Sequence, residues 1–240
     1  MNSVSSETGS GFEATRWSTV ANAAAGKPPT RALGTLCTDY AYSVYAYLRA
    51  SGLEPETAAA ILQRFLGDTV AQFRSDVAAA AGGHFRRFLL ERLGAFLARD
   101  SRGAHDDAPS ASSLADHDFE TRYLRDRTHE SAPPALFERA FALEVLSRTL
   151  RRLAREAGER GHADMYAALA PFLVRDPAAD DTERVARELR MRPLAISIAL
   201  KRLRQRFGEI ADEELADVVT DANALAAERI TLLALLRQRA

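Results

Sequence analysis

Thr182–Phe207 reads TERVARELRMRPLAISIALKRLRQRF, and the order of its apolar and basic residues decides the fold class. Val185, Ala186 and Leu189 fall on one face of a short helix over Thr182–Leu189. Met191–Arg192–Pro193 makes a turn, and Ile196, Ile198, Leu200, Leu203 and Phe207 recur along a longer helix over Leu194–Phe207. That layout predicts a helix-turn-helix, in which a supporting helix braces a second against the major groove of DNA. Charge agrees: Arg184, Arg187, Arg190, Arg192, Lys201, Arg202, Arg204 and Arg206 face Glu188 as the one acid of Arg184–Phe207, in a chain of net charge -1. Six acids follow (Glu209, Asp212, Glu213, Glu214, Asp217, Asp221). A segregated basic surface suits phosphates, because each neutralised phosphate releases condensed counterions. A solvated basic helix paired with its acidic neighbour inside the fold is the plainer alternative.

Outward from this stretch the text stays helical. Leu33, Leu36, Tyr40, Val44, Tyr47 and Leu48 recur at three- and four-residue steps, predicting one helix that ends near Gly52. Pro55 and Glu56 open a second, with Ile61, Leu62, Phe65, Leu66, Val70 and Phe73 as its stripe and Gly82–Gly83 as its break. Phe85, Phe88, Leu89, Leu93, Phe96 and Leu97 form a third. Further helices are predicted at Leu136–Arg155 and Ala163–Leu173, with an apolar C-terminal tail from Leu225 to Leu236. No alternation of period two predicts a sheet. The fold class is therefore all-α, in two small helical domains: 13–103 and 135–240, joined by a polar linker, 104–134, with a short helix near Phe119–Leu124. The small polar residues of 1–12 predict a disordered N-terminus.

Composition excludes several classes. A single cysteine, Cys37, leaves no disulfide framework and no thiolate zinc site among the 240 residues. No run approaches the ~18 consecutive apolar residues of a membrane span, and no signal peptide is visible, so a cytoplasmic protein is expected. His84, His105, His117, His129 and His162 are scattered, and no metal site, phosphate loop or nucleophile elbow is legible. No catalytic residue and no cofactor is expected. Tyr40, Tyr42, Tyr45 and Tyr47 crowd one helix; Tyr40 and Tyr47 are assigned to the core, while Tyr42 and Tyr45 are divided between core packing and stacking on a partner or bases.

Several strings, taken in order, resemble one family. Thr15–Arg16–Trp17–Ser18 is followed by Leu36–Cys37–Thr38–Asp39–Tyr40, Val44–Tyr45–Ala46–Tyr47–Leu48–Arg49, Gln63 with Phe65, and His84–Phe85–Arg86–Arg87–Phe88–Leu89. Pro134–Ala135–Leu136–Phe137–Glu138–Arg139, Val185–Ala186–Arg187–Glu188–Leu189, Lys201–Arg202–Leu203–Arg204–Gln205–Arg206–Phe207 and Glu213–Glu214–Leu215 complete the series. From about residue 13 to its end the chain resembles the extracytoplasmic-function (ECF) type of bacterial RNA polymerase sigma factor, in the subgroup that opens with Thr-Arg-Trp-Ser. The resemblance implies that the first block docks on the polymerase β′ coiled coil and opens the -10 element. It likewise implies that the second reads the -35 element and rests on the β flap. The reading residues would be Arg192, Ser197, Lys201, Arg202, Arg204 and Arg206; those meeting polymerase would be Glu56, Thr57, Ala60, Gln63, Arg64 and Phe65.

Two working surfaces depart from the family pattern. Where relatives carry an acidic cluster, Pro55–Phe65 has Thr57, Ala59 and Ala60 in place of three acids and Arg64 in place of a fourth, removing charge-assisted contacts to a basic partner. The basic run after the next helix shrinks to Ala98–Arg99–Asp100–Ser101–Arg102, which weakens a single-strand groove. Two functions follow. One is an ECF-type sigma factor directing polymerase to promoter DNA, conditional on an anti-sigma partner or on a Ser/Thr kinase that restores charge at Thr57, the candidate phosphosite. The other is a repurposed sigma-like regulator that binds DNA or a protein, through the alanine-rich surface of Ala58–Ala60, without initiating transcription.

Overall fold

The computed structural model describes residues 16–21, 30–73, 83–100, 117–127, 132–173 and 175–237. The expectations for 1–12, for 104–116 and for Gly82 lie outside these residues. Within them the chain is all-α: α1 Arg16–Ala21, α2 Thr30–Asp39, α3 Ala41–Ala50, α4 Pro55–Ala71, α5 Phe85–Asp100 and α6 His117–Asp126, then α7 Pro133–Glu159, α8 Ala163–Leu169, α9 Ala179–Glu188, α10 Pro193–Ala216 and α11 Ala222–Arg237. A 3-10 turn, Ala170–Phe172, continues α8. Among the described residues no strand forms; the one β contact is an isolated antiparallel bridge between His84 and Val219. No helix of the described residues is long and apolar enough to cross a membrane.

The single helix expected over Leu33–Leu48 is two. Tyr40 stands at the joint of α2 and α3 with φ -115° and ψ 17°, and its ring, fully buried, stacks on Phe141 of α7 at 4.2 Å. Beside it Asp39 is shared by Arg16 and Arg148, 2.7 Å from each. Pairing and ring burial at the joint supply the reason for the break. Tyr42 and Tyr45 resolve as core: each is 2 % exposed, and their hydroxyls donate to Asp126 (3.0 Å) and Glu120 (2.7 Å) of α6. Burial, with those carboxylates, raises both phenols out of the physiological range.

Apolar packing does not follow the sequence boundary at 104–134. One large core holds Trp17, Tyr40, Phe65, Phe85 and Phe88 from the first block together with Phe137 and Phe141 from the start of α7 and Leu215, Val218, Val219 and Leu232 from the chain's end. A second, small core joins Leu169, Phe172, Val185, Ala186, Ile196 and Leu200. One helix, α10 of 24 residues, runs from one core into the other, while α7 of 27 residues gives its first half to the large core. The expected linker is drawn in as well. Arg49 forms a two-pronged pair with Glu120 (2.8 and 2.9 Å), and Arg122 stacks on the Tyr42 ring at 3.8 Å, so α6 lies against α3.

The joint between α10 and α11 is pinned from two sides. The Trp17 backbone N–H donates to the Asp217 carbonyl (3.0 Å), and Arg16 pairs with the Asp217 carboxylate at 2.9 Å, which gives Arg16 and Trp17 a structural task. Opposite, Phe85 N–H donates to Val218 O (2.9 Å) and Thr220 N–H to Gly83 O (3.0 Å). Gly83 has φ +81°, and a Cβ there would sit 2.4 Å from Thr220 Oγ1, so no side chain fits this approach. Asp221 starts α11 by accepting from the N–H groups of Asn223 and Ala224, both at 2.9 Å, and these bonds hold its carboxyl below the ordinary range.

Candidate nucleic-acid interface

The helix-turn-helix forms from α9 and α10. Asp181 sits in the first turn of α9 and reaches back to accept from the Ala178 N–H (3.2 Å), satisfying one of the helix's open donors. The reversal comes earlier than Met191–Arg192–Pro193. Met191 N–H donates to Ala186 O (2.8 Å) and Arg190 N–H to Arg187 O (3.2 Å), with Arg190 at φ +54°. This paired bonding is the Schellman ending, normally given to glycine at the left-handed position. Sequence reasoning passed over Arg190 because nothing in an arginine signals that conformation. Pro193 then opens α10 at its first turn, where a missing N–H costs nothing.

Ile196 and Leu200, 2 % and 6 % exposed, turn toward Val185 and Ala186 of the bracing helix. The opposite face of α10 carries Leu194, Ser197, Ile198, Lys201, Arg202 and Gln205, all exposed, with Arg192 exposed at the N-cap. Ser197 and Lys201 lie one turn apart on it. The Ser197 hydroxyl donates to Pro193 O at 3.3 Å. Among the described residues Arg192, Lys201 and Arg202 have no carboxylate within ion-pair reach, and four of the six expected reading residues are exposed at the N-terminal end of α10.

Arg204 and Arg206 do not join them; each is engaged by partners within the fold. Arg204 donates to Phe172 O (3.0 and 2.8 Å) and Arg175 O (2.7 Å) and pairs with Asp176 at 2.9 Å, capping the end of the 3-10 turn. Arg206 grips both oxygens of Glu156 (2.9 and 2.8 Å) and reaches Glu209 and Glu213 at 3.0 and 3.3 Å. Hydrogen bonds from Arg206 pull the Glu156 carboxyl down to about 2. The two arginines lie on opposite flanks of α10, about 200° apart, Arg204 toward the carbonyls of Phe172 and Arg175 and Arg206 toward Glu156 of α7.

The expected polymerase face lies on α4. Glu56 and Thr57 are exposed in its first turn. Phe65 is fully buried against Phe96, with ring centroids 5.6 Å apart, and is a core residue. Arg64 is held within the fold by a two-pronged pair with Asp100 (2.7 and 2.9 Å). Gln63 and Ala60 are half-buried, while Ala58 and Ala59 are 0 % and 6 % exposed, so the alanine-rich segment offers no docking surface. Alanines on a helix face give no clue to which way they point; here the core takes them. Among the described residues no group of three or more His, Cys, Asp or Glu is arranged to hold a metal ion.

No family model, no curated relative and no solved structure matches this chain.

Proposed function

We propose that this chain is a transcription regulator of sigma-like build that recognises DNA through the outer face of α10. The observation that carries the reading is the exposed set Arg192, Ser197, Lys201 and Arg202, its three cations free of ion pairs among the described residues, on a helix whose other face is spent on its bracing partner. A helix presented this way fits a major groove, with charged residues on phosphates and base edges. Such a role belongs in the cytoplasm, with promoter DNA as the partner.

The closed arrangement favours regulation without promoter opening. Elements centred at -35 and -10 lie about 25 base pairs apart, or about 85 Å of straight duplex at ~3.4 Å per step. The two cores are bridged by α10, about 36 Å long at ~1.5 Å per residue. A compact fold of this length has a radius of gyration of about 18 Å, too small to lie on both elements at once. Initiation as an ECF sigma factor therefore requires the cores to part. Exposure of Thr57 in the first turn of α4 leaves it open to a kinase, and phosphate there would restore negative charge to the face that the resemblance assigns to polymerase.

Fluorescence anisotropy against duplex DNA over a salt series tests the reading. Binding should weaken with salt, and Lys201→Ala and Arg202→Ala should each lower affinity. Absence of salt-dependent binding refutes it. Run-off transcription with core polymerase separates the two functions: silence from the wild type and from Thr57→Glu supports the non-initiating regulator, and transcripts support the sigma factor.

A further inference from the structure

Three of the six exposed large apolar side chains among the described residues gather at the start of the reading helix: Met191, Leu194 and Ile198, at 39 %, 72 % and 46 % exposure. Leu194 and Ile198 stand one turn apart on the groove-facing side of α10, flanked by Ser197 and Lys201 on one edge and Arg202 on the other. Ile196 and Leu200 fill the contact with α9, while Met191 and Ile198 border an open cleft with Leu153, Met165 and Tyr166 that Leu194 does not line. Apolar side chains facing water at the tip of a recognition helix call for an apolar complement in the groove. The major groove offers one such group, the C5 methyl of thymine; every other base edge there is a donor or an acceptor.

Resting on the DNA-reading proposal above, we infer that Leu194 and Ile198 select thymine by packing on its methyl group, which makes them specificity-determining residues of the interface. Recognition helices reach base edges with their N-terminal residues, and Leu194 is the second residue of α10. The neighbours supply the polar half of the code. Lys201 and Arg202 donate to acceptor edges such as thymine O4 or guanine O6 and N7. The Ser197 proton is directed to Pro193 O, so its oxygen faces outward as an acceptor for an exocyclic amine. The target is a duplex carrying thymines beside a base rich in acceptors.

The test selects bound duplexes from a randomised pool with the full-length protein. Each enriched sequence is then prepared with thymine and with uracil, which differ by that methyl alone. For the wild type each critical thymine replaced by uracil should weaken binding about fourfold, the worth of one buried methyl. Leu194→Ala/Ile198→Ala, at exposed positions that leave the core intact, should bind the two forms alike with the salt slope unchanged. Equal binding of thymine and uracil forms by the wild type overturns the inference and leaves the DNA reading standing; so does discrimination that survives in the double variant. Failure to enrich any sequence overturns the DNA reading and this inference with it.

Discussion

Arg86 of α5 donates from Nε and Nη2 to the two carboxylate oxygens of Glu228 of α11, at 2.8 and 3.1 Å, with the residues 8 % and 1 % exposed. Glu138 of α7 takes a further hydrogen bond from the same guanidinium, and His84 Nδ1 lies 3.0 Å from Glu228. This cluster closes the last helix onto the first block. Removing one partner strands a buried charge, so Glu228→Leu or Arg86→Met alone should cost about 3–5 kcal/mol in denaturant unfolding. The double variant Arg86→Met/Glu228→Leu should recover the part of that loss due to the Arg86–Glu228 pair, while Glu138 remains without its arginine.

Glu156 gives the fold an acid dependence with a defined sign. Its carboxyl is pulled to about 2 from an ordinary 4.5, chiefly by hydrogen bonds from Arg206. A folded pKa below the unfolded one stabilises the native state fully above about 4.5, and the gain fades as pH falls toward about 2. Melting temperatures of wild type and Glu156→Gln, measured between neutral pH and pH 2, should differ most at neutral pH and converge at the acid end.

Arg190 carries backbone strain in the helix-turn-helix turn. A side chain in the left-handed region costs about 1–2 kcal/mol that glycine avoids, against ~0.5–1 kcal/mol for glycine's extra unfolded-state freedom. Arg190→Gly should therefore raise stability by up to about 1 kcal/mol, whereas Arg190→Ala, which keeps the Cβ, should bring no such gain. Thermal unfolding of the two variants beside the wild type reads the difference.

Arg204 should behave as a scaffold residue. Its planar fork serves two carbonyls and Asp176 at once, a geometry a lysine cannot reproduce. Arg204→Lys should lower the melting temperature while leaving the salt slope of DNA binding unchanged; Arg202→Lys, at an exposed position, should leave the melting temperature unchanged.

The helices were legible because apolar spacing records burial. Pro55, Gly52 and Pro193 punctuate the chain where the sequence says, and the face of Ile196 and Leu200 packs as its periodicity requires. What stayed hidden depends on partners distant in sequence. The pairing of Asp39 with Arg16 and Arg148 breaks a helix that looks continuous, and the fork of Arg64 with Asp100 internalises a charge that reads as surface. Likewise Arg204 and Arg206 carry the same chemistry as Lys201 and Arg202 along the sequence. Their place along α10, one turn nearer Phe172 and Glu156, separates scaffold from reader.

Because α10 carries Ser197 and Lys201 at one end and the core residue Leu215 at the other without interruption, it behaves as a keyed shaft. One residue inserted between Phe207 and Ile210 would rotate the outward side chains by about 100° against the large core and lift them ~1.5 Å along the axis. Four inserted residues would bring the angle back to within about 40°. The number of residues in that span, more than their identity, thus sets the direction in which the protein faces its target.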